Sequence, residues 1–345
     1  MKSFFKIVSA LIAVIFICTS FSACGKIGLG SSKEEKTIVM TVDGYEVPFE
    51  LYRYFVLNYK AQYELEEGES LSDADVEAIR EKTEASIKEL YAIISLAKDF
   101  EVDESNKTVA SAIDAALKAE KNAYDNNADY VRALAEGYMT HNVYELLQTN
   151  IICADELYYK MMNDGAIKCD EEFLHDYIYG DGFIRVKQIL IMGESSRKAY
   201  GDMILSAETS HTDEEAAALA EIAMNKAKAG EDFDALVREY GESLFMFSNI
   251  DGYYICEGAW DDVNSDAAFA LEIGDVSDVI VSDKGYSVFK RYEKDEEYIK
   301  KNYQDLCDTY TKAQYSLAVE KRLSELKLEK TEAYGEISIK DMEWN

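Results

Sequence analysis

Histidine, proline and cationic side chains are what this chain is short of. Only three histidines occur, His141, His175 and His211, and they cluster neither with one another nor with the cysteines. No two cysteines have the C-x-x-C spacing either. A zinc site is therefore not indicated, and no metal or other cofactor is called for. Lysine and arginine number 36 against 67 aspartates and glutamates, a formal net charge of −31 over 345 residues. A surface of that sign repels nucleic acid and anionic lipid headgroups, which removes nucleic acid as a partner and a basic patch as a means of membrane attachment. Excess acid also keeps a protein soluble and favours basic or unfolded partners. Solvated helix faces account for most of it, so charge alone selects no function.

The one long apolar run lies at the start. Residues 1–23 carry Lys2 and Lys6, then Ile7 to Cys18, then small residues, which is the pattern of a secretory signal peptide. The ending Phe21-Ser22-Ala23-Cys24-Gly25 resembles a bacterial lipobox, with Phe21 where leucine is usual. On that reading Cys24 carries lipid; ordinary cleavage beside an incidental cysteine is the alternative. Residues 24–36 are rich in Gly, Ser and Lys without periodicity, as a flexible tether would be. The expected location is extracytoplasmic, lipid-anchored to the outer face of a bacterial cell membrane. Cys153, Cys169, Cys256 and Cys307 then remain. Outside the membrane an even count permits disulfides, with buried thiols the preferred reading.

Apolar–polar alternation from Thr37 to Val47 around Asp43-Gly44 predicts a hairpin or strand-turn. Pro48, the only proline, follows where a first helical turn tolerates it. Tyr52, Phe55, Val56, Tyr59 and Tyr63 share one helical face, and Gly68 ends that helix. Leu71 to Val76 reads as a capping box, with Ser72 accepting from the third amide and Asp75 reaching back. A long helix is expected after it. Further helices are expected over 103–124, over 128–162 with a break at Gly137, over 171–179 and over 296–330. Ile337 and Ile339 end the chain in an alternating run able to pair with the early strand.

Between Phe183 and Tyr292 four blocks recur in a familiar order. They are Ile184-Arg185-Val186-Lys187-Gln188-Ile189-Leu190-Ile191, then Lys228-Ala229-Gly230-Glu231-Asp232-Phe233, then Ala267 to Ser277, then Lys284-Gly285-Tyr286-Ser287-Val288-Phe289-Lys290. In order and spacing they resemble the parvulin family of peptidyl-prolyl isomerases. The resemblance implies an FKBP-like α+β domain over about 180–295. It also implies that Gln188 and Ser287 stand at the two family histidines and Ser243 at the family Cys or Asp. Trp260 and Asn264 fall on the apolar wall for the proline ring. Phe289, in the closing strand, is expected to bind substrate with them, and Phe245 and Phe247, in Leu244-Phe245-Met246-Phe247, form an apolar run that lines a client groove or packs the core. The positions that carry catalysis in the family are thus substituted by neutral groups.

Amphipathic helices need a partner for their apolar face. The helices before 180 and the one after 295 are therefore expected to form one helical domain, 36–178 plus 296–345, with 180–295 inserted. That organisation resembles the PrsA and SurA foldases of bacterial envelopes, and Val39 to Val47 resembles their N-terminal start. It implies a chaperone for unfolded or partly folded exported polypeptides; the alternative is an active prolyl isomerase with an altered site. A solute-binding lipoprotein would share the anchor, but the helical first half argues against it.

Overall fold

This computed structural model describes residues 36–63, 70–200 and 211–344. The expected signal peptide, Cys24, nearly all of the tether and Gly68 lie outside the described residues. The fold is α+β, with two compact units. One consists of the chain up to Asn163 together with Ala318 to the C-terminus; the other is Asp164–Leu317. These borders differ from 178/180 and 295/296.

The first unit is organised on β1 (Ile38–Val42) and β2 (Tyr45–Pro48), which pair antiparallel. Asp43 and Gly44 turn the chain with φ of 48° and 84°, the backbone a tight hairpin with the right twist requires. Pro48 is the N-cap of α1 (Phe49–Lys60), one position earlier than a first-turn proline. α2 (Asp73–Asp99) starts with the expected capping box: Ser72 Oγ accepts from Asp75 N at 3.1 Å, and Ser72 N donates to Asp75 Oδ2 at 2.9 Å. α3 (Lys107–Asn122), α4 (Asn127–Glu136) and α5 (His141–Asn163) follow, with Gly137 ending α4. Asn150 of α5 donates to the Leu90 carbonyl of α2 at 2.8 Å inside the core, and the buried Glu50 carboxylate is satisfied by Thr140 and Asn142.

The second unit begins with α6 (Glu171–Tyr179), as expected, and continues into β3 (Ile184–Ile191), α7 (Glu194–Tyr200), α8 (Asp213–Lys228), α9 (Phe233–Tyr240) and α10 (Leu244–Ser248). β4 (Tyr253–Ile255), α11 (Asp262–Phe269), β5 (Ile280–Ser282), β6 (Gly285–Tyr292) and α12 (Glu296–Lys301) complete it, with α13 (Tyr303–Glu325) counted in this unit up to Leu317. The sheet order is β4-β3-β6-β5 and every pairing is antiparallel. Ile189, Ile191 and Val288 face α8 and α9. α8 presents Ala216, Ala220, Ala223 and Ala227, all buried, so its backbone lies close to the sheet. Val186 and Ile184 face the other way, toward Ala268 of α11.

The C-terminal end departs from expectation. The last helix stops at Glu325, and β7 (Leu328–Lys330), not the run around Ile337, pairs with β1. Two long-range bonds hold it there: Asp43 N donates to Lys327 O at 2.9 Å and Lys327 N donates to Asp43 Oδ1 at 3.2 Å. Ile339 is buried outside any strand. Lys60 Nζ donates to the carbonyls of Ile339, Lys340 and Met342 at 3.4, 2.7 and 3.0 Å, which fixes that last segment. The four cysteines named above are thiols, three of them buried and Cys169 at the surface. Among the described residues no helix is long and apolar enough to cross a membrane.

Candidate active site

The outer face of the sheet gathers the residues singled out in the sequence. Antiparallel register sets Gln188 opposite Phe289 and Leu190 opposite Ser287, so these side chains share one face. Gln188 Nε2 donates to Ser287 Oγ at 2.8 Å, and Ser287 is wholly buried. Ser243, at the N-cap of α10, makes no capping bond; its Oγ lies 3.4 Å from the Tyr253 hydroxyl. Burial pushes the Tyr253 hydroxyl above its ordinary value, and the Ser243 contact partly offsets this. Among the described residues no hydrogen bond joins the Gln188–Ser287 pair to the Ser243–Tyr253 pair. The site is therefore two separate neutral pairs.

Aromatic rings connect them. Phe245 stacks on Tyr253 at 4.2 Å between centroids, Tyr253 meets Trp260 edge-on at 4.9 Å, and Trp260 lies 5.5 Å from Phe289. Phe289 is 0 % exposed, so it forms a floor beneath Trp260 and is not itself a contact surface. The apolar run splits by position. Met246 enters the core, while Phe245 and Phe247 stay 42 % and 39 % exposed, and Ile250 beyond them is 75 % exposed.

Asn264 is not left in water. It is instead 4 % exposed, with Nδ2 donating to Asp261 Oδ1 and Oδ2 at 2.9 and 3.0 Å, while Asp261 also caps α11. Burial works to raise the Asp261 carboxyl, but the Asn264 bonds and the Lys284 ammonium at 3.1 Å outweigh it and hold it below the usual carboxylate range. Asn264 Oδ1 is buried with no hydrogen-bond donor.

Sequence reasoning missed a charged cluster one residue before Ser243. Glu242 accepts from Arg197 and from Met192 N, the latter at 2.7 Å, and its Oε1 lies 3.5 Å from His211 Nε2. His211 reaches it through an isolated bridge to Gly193, where a Cβ would stand 2.0 Å from Asp213 Oδ1. No periodicity marks a contact made by a loop end. Among the described residues no group of His, Cys, Asp and Glu has a metal-binding arrangement.

Residues 202–293 match the family model described as Rotamase: PPIC-type PPIASE domain. The parvulin resemblance read from the strand and helix blocks is thereby borne out for that segment. The chain is also 37 % identical over 76 residues to the foldase protein PrsA of Bacillus subtilis (strain 168), covering 22 % of this chain and 26 % of that protein. It thus spans about a quarter of the length of that curated relative. Among solved structures, foldase PrsA from Streptococcus pneumoniae is 17 % identical with a TM-score of 0.34, covering 82 % of this chain and 96 % of its own. One of the SurA-like chaperones of Campylobacter jejuni is 15 % identical with a TM-score of 0.23, covering 84 % and 96 %.

Proposed function

We propose that this chain is an extracytoplasmic foldase, held to the outer face of a bacterial cell membrane by lipid on Cys24, whose parvulin-type domain binds unfolded or partly folded exported polypeptides. The observation that carries this reading is the ring series Phe245–Tyr253–Trp260–Phe289 together with the exposure of Phe245, Phe247 and Ile250, inside a segment that matches the isomerase family. Aromatic and flexible apolar side chains suit loose, sequence-tolerant contact with unfolded chains. The helical body built from both chain ends is the chaperone part; the pairing of β7 with β1 supports it, and its extent follows the borders at 163/164 and 317/318.

Isomerisation itself is the weaker capacity. Rotating a prolyl bond faces a barrier of about 18–20 kcal/mol, and an enzyme lowers it by binding the twisted amide better than the planar forms. Gln188, Ser243 and Ser287 supply hydrogen bonds but no charge, and Trp260 with Asn264 occupies the ring wall. An active isomerase with an altered site is the second reading, favoured by the retained bond between Gln188 and Ser287.

The test is light scattering of an unfolded client diluted into buffer with increasing amounts of this protein. Suppressed aggregation at about stoichiometric ratios is expected; no effect at any ratio overturns the proposal. For the anchor, Cys24→Ala is expected to move the protein from the membrane to the soluble fraction, and unchanged membrane association overturns that part.

A further inference from the structure

The stretch that builds the candidate site is devoid of cations. From Glu239 to Asp283, 45 residues, there are 11 carboxylates and no lysine, arginine or histidine. That stretch supplies Ser243, Phe245, Phe247, Tyr253, Trp260 and Asn264. Some of its carboxylates are neutralised from outside, Glu239 by Lys226, Glu242 by Arg197, Asp251 by Arg185, Asp261 by Lys284 and Asp278 by Lys228. Glu257, Asp262 and Asp266 are exposed and have no ion-pair partner among the described residues. In sequence they stand beside the stretch's aromatic and apolar residues. Glu257 precedes Trp260 by three positions, and Asp262 and Asp266 flank Val263, itself 54 % exposed, on α11. Asp262 stands where the start of a helix favours an acid, but Asp266 stands one turn on, where the two like charges repel.

Two further features have the same polarity. Asn264 Oδ1 is buried without a donor, and its orientation is fixed because reversing the amide would turn oxygen toward the Asp261 carboxylate. The outward faces of Phe245 and Trp260 carry the negative side of the aromatic quadrupole.

We propose that the site selects polypeptide segments in which lysine or arginine stands beside an apolar residue. This rests on the reading that the site binds polypeptide. The apolar neighbour covers the Phe245, Phe247 and Ile250 rim, the long stem of the basic residue adds to that contact, and its head meets the ring faces and the Asp262 and Asp266 carboxylates. Acidic segments are turned away by the same charges.

The test uses the full chain carrying Trp344→Phe, which leaves Trp260 as the sole tryptophan reporter. Three unstructured peptides share their apolar residues and differ in flanks of Lys/Arg, Ser/Gln or Asp/Glu; calorimetric titration of the unaltered chain with the same peptides guards against any effect of the reporter substitution. The cationic peptide is expected to bind at least about tenfold tighter than the neutral one at low salt, with the advantage shrinking at high salt as charges are screened. Asp262→Asn with Asp266→Asn is expected to cut that preference to about twofold or less. Equal binding of cationic and neutral peptides, or a preference indifferent to both salt and the double substitution, overturns this inference alone. Failure of all three peptides to bind overturns the polypeptide reading beneath it, and with it this inference.

Discussion

Gln188 on β3 donates to Ser287 on β6 across 2.8 Å, and this bond closes on itself without reaching Ser243. A network that stabilises a twisted amide must bear on one point, because only interactions stronger in the transition state accelerate the step. With two isolated neutral pairs, isomerisation of a proline tetrapeptide is expected to be at least about a hundredfold below that of an ordinary parvulin, a loss typical of removing an electrostatic element. Gln188→Ala and Ser243→Ala are expected to change what remains by less than about threefold. Turnover equal to an ordinary parvulin, abolished by either substitution, contradicts the expectation.

How much of this was legible in advance follows from the range of each interaction. The Ser72–Asp75 capping box, the Asp43-Gly44 turn and α6 rest on neighbours within a few residues, and the sequence pattern suffices for them. The blocks of the parvulin-like segment were readable because strand and helix periodicities recur in a fixed order. The pairing of β7 was not, since Leu328-Glu329-Lys330 lacks alternation and its position depends on Asp43, nearly the whole chain away. The same holds in the site. The burial of Phe289 depends on the Trp260 ring, placed by the turn that follows β4. The approach of His211 to Glu242 depends on a bridge between loop ends.

Gly252 is expected to be the least replaceable glycine beside the site. Its φ is +85°, and a Cβ there would stand 2.6 Å from the Val186 carbonyl oxygen of β3. Gly252→Ala combines a left-handed backbone with a clash against main chain, so a loss of about 2–4 kcal/mol is expected. Thermal melting followed by near-ultraviolet circular dichroism checks it, and an unchanged midpoint contradicts it.

Glu89 of α2 gives the first unit a pH dependence. Burial, then the Glu320 carboxylate on α13, push its carboxyl from 4.5 up to about 7, and Tyr59 on α1 faces it. The folded state therefore holds a proton there that the unfolded chain has already released. With more protons bound folded than unfolded, stability is greatest below about pH 4.5 for this group and is lost as pH rises through about 7. The full shift corresponds to about 3 kcal/mol, and partial exposure lowers the expected loss to about 1–2 kcal/mol. Denaturant midpoints measured from pH 5 to 8.5 are expected to fall in the parent and to fall less in Glu89→Gln. Parallel curves for the two proteins rule out the assignment.

The borders of the second unit make the last prediction. Two aromatic clusters tie its ends to its middle. Tyr310 lies 5.6 Å from Phe173 and 4.7 Å from Tyr177, Tyr177 meets Phe183 edge-on at 5.9 Å, and Tyr254 stacks on Tyr298 at 4.3 Å. Gly258 sits so close to α13 that a Cβ would stand 2.6 Å from Leu317 Cγ. A fragment cut at 180 and 295 loses Phe173, Tyr177, Tyr298, Tyr310 and Leu317 together and bares Phe183 and Tyr254, which they cover. Aromatic pairs contribute about 0.5–1.5 kcal/mol each beyond the area they bury, so losing these removes several kcal/mol from a small domain. Residues 164–317 expressed alone are expected to melt cooperatively, and residues 180–295 to melt at least about 10 °C lower or to aggregate, since about 1 kcal/mol shifts such a domain by several degrees. Equal melting temperatures for the two fragments would place the border where the sequence periodicity put it, and would make α6 and α13 dispensable to the sheet.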